Sequence, residues 1–397
     1  MKTFQPNCTL PPPEPGFVAG PNIRSTLDIV WSCLSVIILS TWSILHLAVP
    51  PQIHSRTWQQ RLWKTLWLIW RKVKWMLWAL MVPELILALA FGRFLSARRS
   101  VRQMKQFAQE DGMEWTLTHA FFADMGGFVR PYTDDALNLH RLCGNVWVLD
   151  AAQMNMARDC GIISCLPSSS EGELNDRSKS DGLLKLLALA QLVWLVLQLI
   201  VRTAQGKPSS QLEIMALAYA VCAAVTYALL WFQPKDVSHH IVVQADRCAS
   251  QAEMTKIRAA GPPFWASFGG HYAMRNDYSF HYASVDYSII GLTVGAVAFG
   301  VIHLTAWNFD FPTPVEKLLW RVSSLILTGA PALLFVFFVY YLKFDLSDWV
   351  RGMVMWLSTF LAIASRLLLL VETFRSLYFI EPAGYTSTWA VDIPHLG

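Results

Sequence analysis

Residues 182–201 read GLLKLLALAQLVWLVLQLIV. That run is long and apolar enough to cross a bilayer as one helix, because a span takes ~20 apolar residues and lipid leaves the backbone nothing but itself to hydrogen-bond with. Six further stretches share its character: Leu27–Val49, Val73–Phe91, Leu212–Phe232, Ile289–Trp307, Leu318–Leu342 and Val350–Val371. The pattern predicts an all-α, polytopic transmembrane bundle of about seven spanning helices, with the run ending at Trp307 among the shortest.

Composition agrees with this class. Of 397 residues, 54% are hydrophobic and 15% charged, against the roughly 25% charge of soluble domains. Many of the 18 tryptophans lie near the ends of the apolar runs, where an amphipathic ring suits the headgroup layer. A net charge of +4 without a basic, aromatic-rich face argues against nucleic acid as a partner and leaves the lipid bilayer as the expected one. Seven scattered cysteines, among them Cys160 and Cys165 with no second pair or nearby histidine, predict neither a disulfide framework nor a metal site.

The chain divides around the runs. Residues 1–26 form a polar, Pro-rich tail without the features of a signal peptide, and its Asn7-Cys8-Thr9 sequon marks Asn7 for glycosylation if the tail faces a lumen. Residues 27–93 hold the first two spans, joined by a segment in which Trp63, Trp67 and Trp70 recur at helical spacing while Arg61, Lys64, Arg71 and Lys72 take other faces, the pattern of an interfacial helix. Residues 94–181 form an extramembrane or interfacial connection whose one apolar segment, Trp115–Val129, is too short to span and is expected in the interface or dipping into the bundle. Spans three and four occupy 182–233, a polar connection rich in His and Tyr occupies 234–288, spans five to seven occupy 289–375, and 376–397 is a tail. Positive residues crowd both sides of the second span, so the positive-inside rule leaves the orientation open. The expected location is a multi-pass membrane protein of the endoplasmic reticulum.

Charges inside the runs carry the functional reading, since a charge at mid-membrane costs at least ~2.5 kcal/mol. Glu84 stands out, with Lys74 and Arg93 as the other charges of its run and Pro83 directly before it. Proline removes an N–H, so a kink and a free carbonyl are expected beside the acid. A carboxyl group held in hydrocarbon keeps its proton, the state a proton donor needs, although polar glue between helices explains the residue equally well. Arg366 lies inside the last run; it either snorkels or pairs with an acid, and pairing with Glu84 would remove Glu84 as a donor. Asp28 and Glu213 close S-x-x-[DE] capping boxes, and Asp345 and Asp348 suit a helix start. His119 and Asp124, flanked by Phe121, Phe122 and Phe128, either line a pocket mouth or sit in a wet interface.

No P-loop, G-x-S-x-G, H-E-x-x-H or C-x-x-C occurs, and Asp134-Asp135-Ala-Leu-Asn138 lacks the distal carboxylate of a diphosphate-ionising motif. The segments Thr26–Cys33, Val82–Glu84, Asp124–Phe128, Asn175–Asp181, Gln211–Ile214 and Trp231–Val237 together resemble a large group of fungal integral membrane proteins. A few of these are similar to the membrane-bound terpene cyclases of ascofuranone and macrophorin type biosynthesis, and the resemblance spans roughly residues 25–240. It implies an isomerase of secondary metabolism that needs no cofactor, acting on a hydrophobic prenylated aromatic or quinone by protonating an epoxide or terminal alkene. Glu84 is then the favoured acid, with Asp124 and His119 as further catalytic candidates, and Trp31, Trp78 and Trp194 are candidates to stabilise a passing carbocation. A proton-coupled transporter or a seven-helix receptor is the alternative class.

Overall fold

The computed structural model describes residues 16–19, 23–50, 57–131, 146–178, 182–247, 249–260, 285–343 and 347–388. Asn7, Asp345 and the His- and Tyr-rich stretch 270–282 lie outside the described residues. Five described helices are long and apolar enough to cross a membrane, six if a bent pair is counted as one span, which makes this a membrane protein.

The chain begins with α1 (Thr26–Ser43), which opens on the expected box: Ser25 N donates to Asp28 Oδ2 at 2.8 Å, and Asp28 N to Ser25 Oγ at 3.1 Å. The Trp-rich segment forms α2 (Trp58–Met81), and α3 (Pro83–Gln103) follows at once. Val73–Phe91 is bent at Pro83 far more sharply than a kink: the chain breaks at Val82, and the two helices meet at 109°. Proline excludes the helical conformation from the residue before it, and Val82 accordingly sits at φ −144°, ψ 72°.

A small layer comes next, with α4 (Lys105–Glu110), α5 (Leu117–Asp124), β1 (Phe128–Pro131), β2 (Val146–Leu149), α6 (Ala151–Asp159) and α7 (Glu171–Asp176). Then follow α8 (Gly182–Ala204), α9 (Gln211–Leu229), β3 (Ile241–Val242), α10 (Gln251–Ala260), α11 (Val285–Leu304), α12 (Pro314–Lys343) and α13 (Asp348–Arg375). β1 lies between β2, antiparallel with Phe128 opposite Leu149, and β3, parallel with Phe128 opposite Ile241. Trp115–Val129 packs against the bundle through Ala120 and Phe121, which meet Ala90 and Ala97 of α3 and Leu230 just past α9. Its Trp115, Phe122 and Phe128 form the layer's own core with Met104, Leu149, Met154 and Ile163, and the second connection completes that core through Val243 and Ile257.

Contacts at the helix ends order the bundle. Arg24, just before α1, pairs with Glu213 in the first turn of α9 at 2.6 Å, while Tyr227 Oη, near the far end of α9, donates to the Ser43 carbonyl at 3.0 Å. Thus α1 and α9 run parallel, from an Arg24 end to a Tyr227 end. At the Arg24 end, Arg202 of α8 donates to the Gly384 carbonyl at 2.9 Å, and Gln211 Nε2 to the Asp310 carbonyl ahead of α12 at 2.8 Å. Arg375, closing α13, pairs there with Glu316 in the first turn of α12 at 2.7 Å.

At the Tyr227 end, Lys72 of α2 pairs with Asp236 at 2.9 Å, and Arg93 Nη1 of α3 donates to the His46 carbonyl at 2.7 Å. Both arms of the broken pair therefore meet the same end of the bundle. Their junction reaches Tyr219, midway along α9, whose hydroxyl donates to the Leu80 carbonyl. It also reaches Gly295, midway along α11, where an added Cβ would lie 3.0 Å from Glu84 Cβ. Gly291 and Gly295 make the small-x-x-x-small face that lets α3 approach α11 so closely.

Candidate functional site

Glu84 occupies the first turn of α3, at the bend between α2 and α3, and is 8% exposed. Arg366 of α13 reaches across to it. Its Nη1 donates to Glu84 Oε2 at 3.0 Å and to the Met81 carbonyl, left over at the end of α2, at 2.5 Å. The guanidinium carbon stands 4.3 Å above the ring of Phe299 from α11, within cation–π range. Among the described residues, Arg366 Nε and Nη2 have no hydrogen-bond partner.

Around the pair the walls are aromatic. Tyr219 meets Phe299 edge-on at 5.5 Å, and His303 lies against Phe299 at 4.6 Å and Trp320 at 5.7 Å. His303 Nδ1 is 2.8 Å from the Phe299 carbonyl, which only accepts, so Nδ1 carries the proton, while Nε2 is buried and unpartnered among the described residues. A cavity of about 20 Å³, room for about one water, is lined by Arg366, Tyr219, Phe299, Met81, Leu367 and Leu370 among others.

This geometry corrects the expected role of Glu84. Its carboxyl group meets a guanidinium at 3.0 Å rather than an empty cavity, the pairing that the sequence reading set against a role as proton donor. His119 is likewise fully employed: its Nε2 donates to the Ser169 carbonyl at 2.8 Å, and its Nδ1 accepts from Thr116 N at 3.3 Å and lies 2.9 Å from Thr116 Oγ1. It closes the capping box of α5. Trp31 and Trp78 face outward, and Trp194 is buried in the bundle core. None of the three borders the Arg366 cavity, so the structure does not bring the expected aromatic set together.

Asp124 ends α5 inside the layer, accepting from Ser96 Oγ at 2.8 Å and from the Ala151 N–H at 3.3 Å. Burial pushes its carboxyl up to about 6, while the two hydrogen bonds and the charge of Arg93 pull the other way. A carboxyl raised on folding stabilises fully below its ordinary 3.8, and that contribution is lost as pH rises through about 6. Asp124→Asn keeps an acceptor and cannot ionise. It should match the wild-type melting temperature near pH 4 and exceed it by a few degrees near pH 7; parallel curves across that range would refute the assignment.

Sequence reasoning missed two groups. His303 is an ionisable residue inside an apolar run, and that alone was a sufficient signal. The second is the pairing at the Arg24 end. Glu213 forms the capping box with Ser210 as expected, and it also meets Arg24 beneath a cavity of about 170 Å³. Arg202 beside them gives its donors to the carbonyls of Pro208, Gly384 and Thr386. Every cation there is spent on the protein itself, so that corner reads as a structural clamp holding α1, α8, α9 and the C-terminal turns.

The sequence profile of one family matches residues 3–257 and 283–354, most of the chain. The protein belongs to DUF8562, a family of unknown function. No curated protein and no solved structure matches it. Membership covers both arms of the broken pair and Glu84, and it stops short of Arg366, the partner that α13 supplies.

Proposed function

We propose that this protein is a membrane-bound isomerase that cyclises a prenylated aromatic or quinone without a cofactor. The observation that carries the reading is Arg366: a guanidinium with unspent donors, held by Glu84 among Phe299 and Tyr219 midway along the bundle. The resemblance over residues 25–240 supplies the reaction class. In this reading Arg366 receives the oxygen of the substrate and stabilises the charge that develops on it, and Glu84 positions Arg366. For an epoxide, one C–O bond breaks with the charge that develops on the oxygen held by Arg366, double bonds of the chain close rings onto the cation, and the proton lost from the last carbon returns through water to that oxygen. The formula is unchanged, so no cofactor is consumed.

Membranes containing the protein should convert a farnesylated phenol or its terminal epoxide into a product of equal mass with fewer double bonds. An unchanged pool of both substrates would count decisively against the cyclase. The helix break at mid-bundle favours proton-coupled transport as a second reading. Uptake into proteoliposomes that collapses with the proton gradient would select it.

The same reading sets the topology. Six helices, α1, α8, α9, α11, α12 and α13, cross the bilayer, and α2–α3 is a re-entrant hairpin. Arg71, Lys72, Lys74, Arg93, Arg98, Arg99, Arg102 and Lys105 then all belong to one face, and the positive-inside rule makes that face cytoplasmic. The end of the bundle that carries Arg24 then faces the lumen of the endoplasmic reticulum.

A further inference from the structure

Guanidinium is a planar fork with fixed donor directions. In Arg366, Nη1 makes both contacts to the protein, to Glu84 Oε2 and to the Met81 carbonyl. Nε and Nη2 form the side edge of the fork, and their N–H bonds point roughly parallel. Both are unpartnered among the described residues, in a side chain that is 10% exposed. Leaving buried charged donors unmade is costly, so a site that keeps two of them side by side is shaped for an acceptor.

Two further facts define that acceptor. Glu84 already balances the arginine, and adding a third charge in a dry setting would carry the desolvation penalty of an unpaired ion, so a neutral acceptor fits and an anion does not. The cavity itself has room for about one water-sized group, so only the edge of a head group enters it and the rest of the ligand stays outside. However, Met81, Leu367 and Leu370, which line it, are also 43%, 46% and 38% exposed on the outer surface of the bundle. The fork therefore lies one side chain behind the lipid-facing surface, at the seam where the tip of the hairpin meets α13. The rings of Phe299 and Tyr219 offer flat walls on the protein side.

We infer that the side edge of Arg366 binds two adjacent oxygen atoms on an uncharged, planar head group, while the hydrocarbon tail of the ligand stays in the bilayer. This rests only on the intramembrane placement in the preceding section and not on cyclisation. Decylubiquinone, whose ring carries neighbouring carbonyl and methoxy oxygens, is a suitable probe, and laurate is its anionic counterpart.

The protein labelled with 15N-arginine in nanodiscs should show the Arg366 Nε–H resonance, assigned by its loss in Arg366→Lys, shifting as decylubiquinone is added. Arg366→Lys keeps the charge and lacks the side edge. Its affinity for the probe should fall about tenfold or more, the equivalent of one charged hydrogen bond. If that variant does not fold, the resonance is assigned by its loss in Glu84→Gln/Arg366→Met instead, and its shift in the wild type decides. A resonance that stays fixed, undiminished affinity in Arg366→Lys, tighter binding of laurate, or no binding of either probe would overturn the inference. Binding through Arg366 without any cyclised product leaves it standing and removes the cyclase; cyclisation undisturbed in Arg366→Lys does the reverse.

Discussion

Arg366→Met is expected to cost about 3–5 kcal/mol and to be among the most damaging single substitutions in the bundle, because it strands the Glu84 carboxylate in a buried site with its partner gone. It also strips the Met81 carbonyl of its donor at a helix end that has no lipid substitute. The companion Glu84→Gln/Arg366→Met should recover more than half of that loss, since replacing both members of a buried pair by uncharged groups is often neutral. Thermal unfolding in nanodiscs measures both. A double variant no more stable than Arg366→Met would show that the arginine acts through Met81 and Phe299 alone, and that the ion pair contributes nothing.

That pair marks the boundary of what the sequence could tell. Glu84 and Arg366 were each legible as outliers, because a charge within an apolar run is rare enough to be noticed one residue at a time. Whether they meet depends on α3 and α13 being neighbours, a contact 282 positions apart that no local pattern encodes. Five of the spans were legible because the thickness of a bilayer fixes a length that can be read off directly.

Pro83 announced a disturbance, and its extent was decided elsewhere. A kink would keep most of the hydrogen bonds of the helix, whereas a full break needs new partners for the carbonyls of Leu80 and Met81. Tyr219 and Arg366 supply them from 139 and 285 positions away. Similarly, Trp31 and Trp78 were read for their rings alone, and amphipathic rings at helix surfaces suit lipid and headgroups better than a cavity. His119 and Asp124 proved to be capping and anchoring groups of a layer whose core the short segment Trp115–Val129 builds.

The break has a consequence that labelling can read as an all-or-none result. Gln59 at the start of α2 and Gln103 at the end of α3 are both exposed, and Glu381 is exposed beside the C-terminal turns. If α2–α3 is re-entrant, Gln59→Cys and Gln103→Cys lie on one face of the membrane and Glu381→Cys on the other. In a background without native cysteines, sealed vesicles with the cytoplasmic side outward should give the first two variants to an impermeant maleimide at once, and the third only after permeabilisation. A hairpin that crossed the bilayer would separate Gln59 from Gln103. It would carry the basic residues at the end of α3 to the face opposite Lys72 and break the pairing of Arg93 with His46 that ties both arms to one end. Labelling of all three in the reverse order would keep the hairpin and invert the orientation, whereas labelling that divides the first pair would remove the re-entrant fold and with it the mid-bundle position of Glu84.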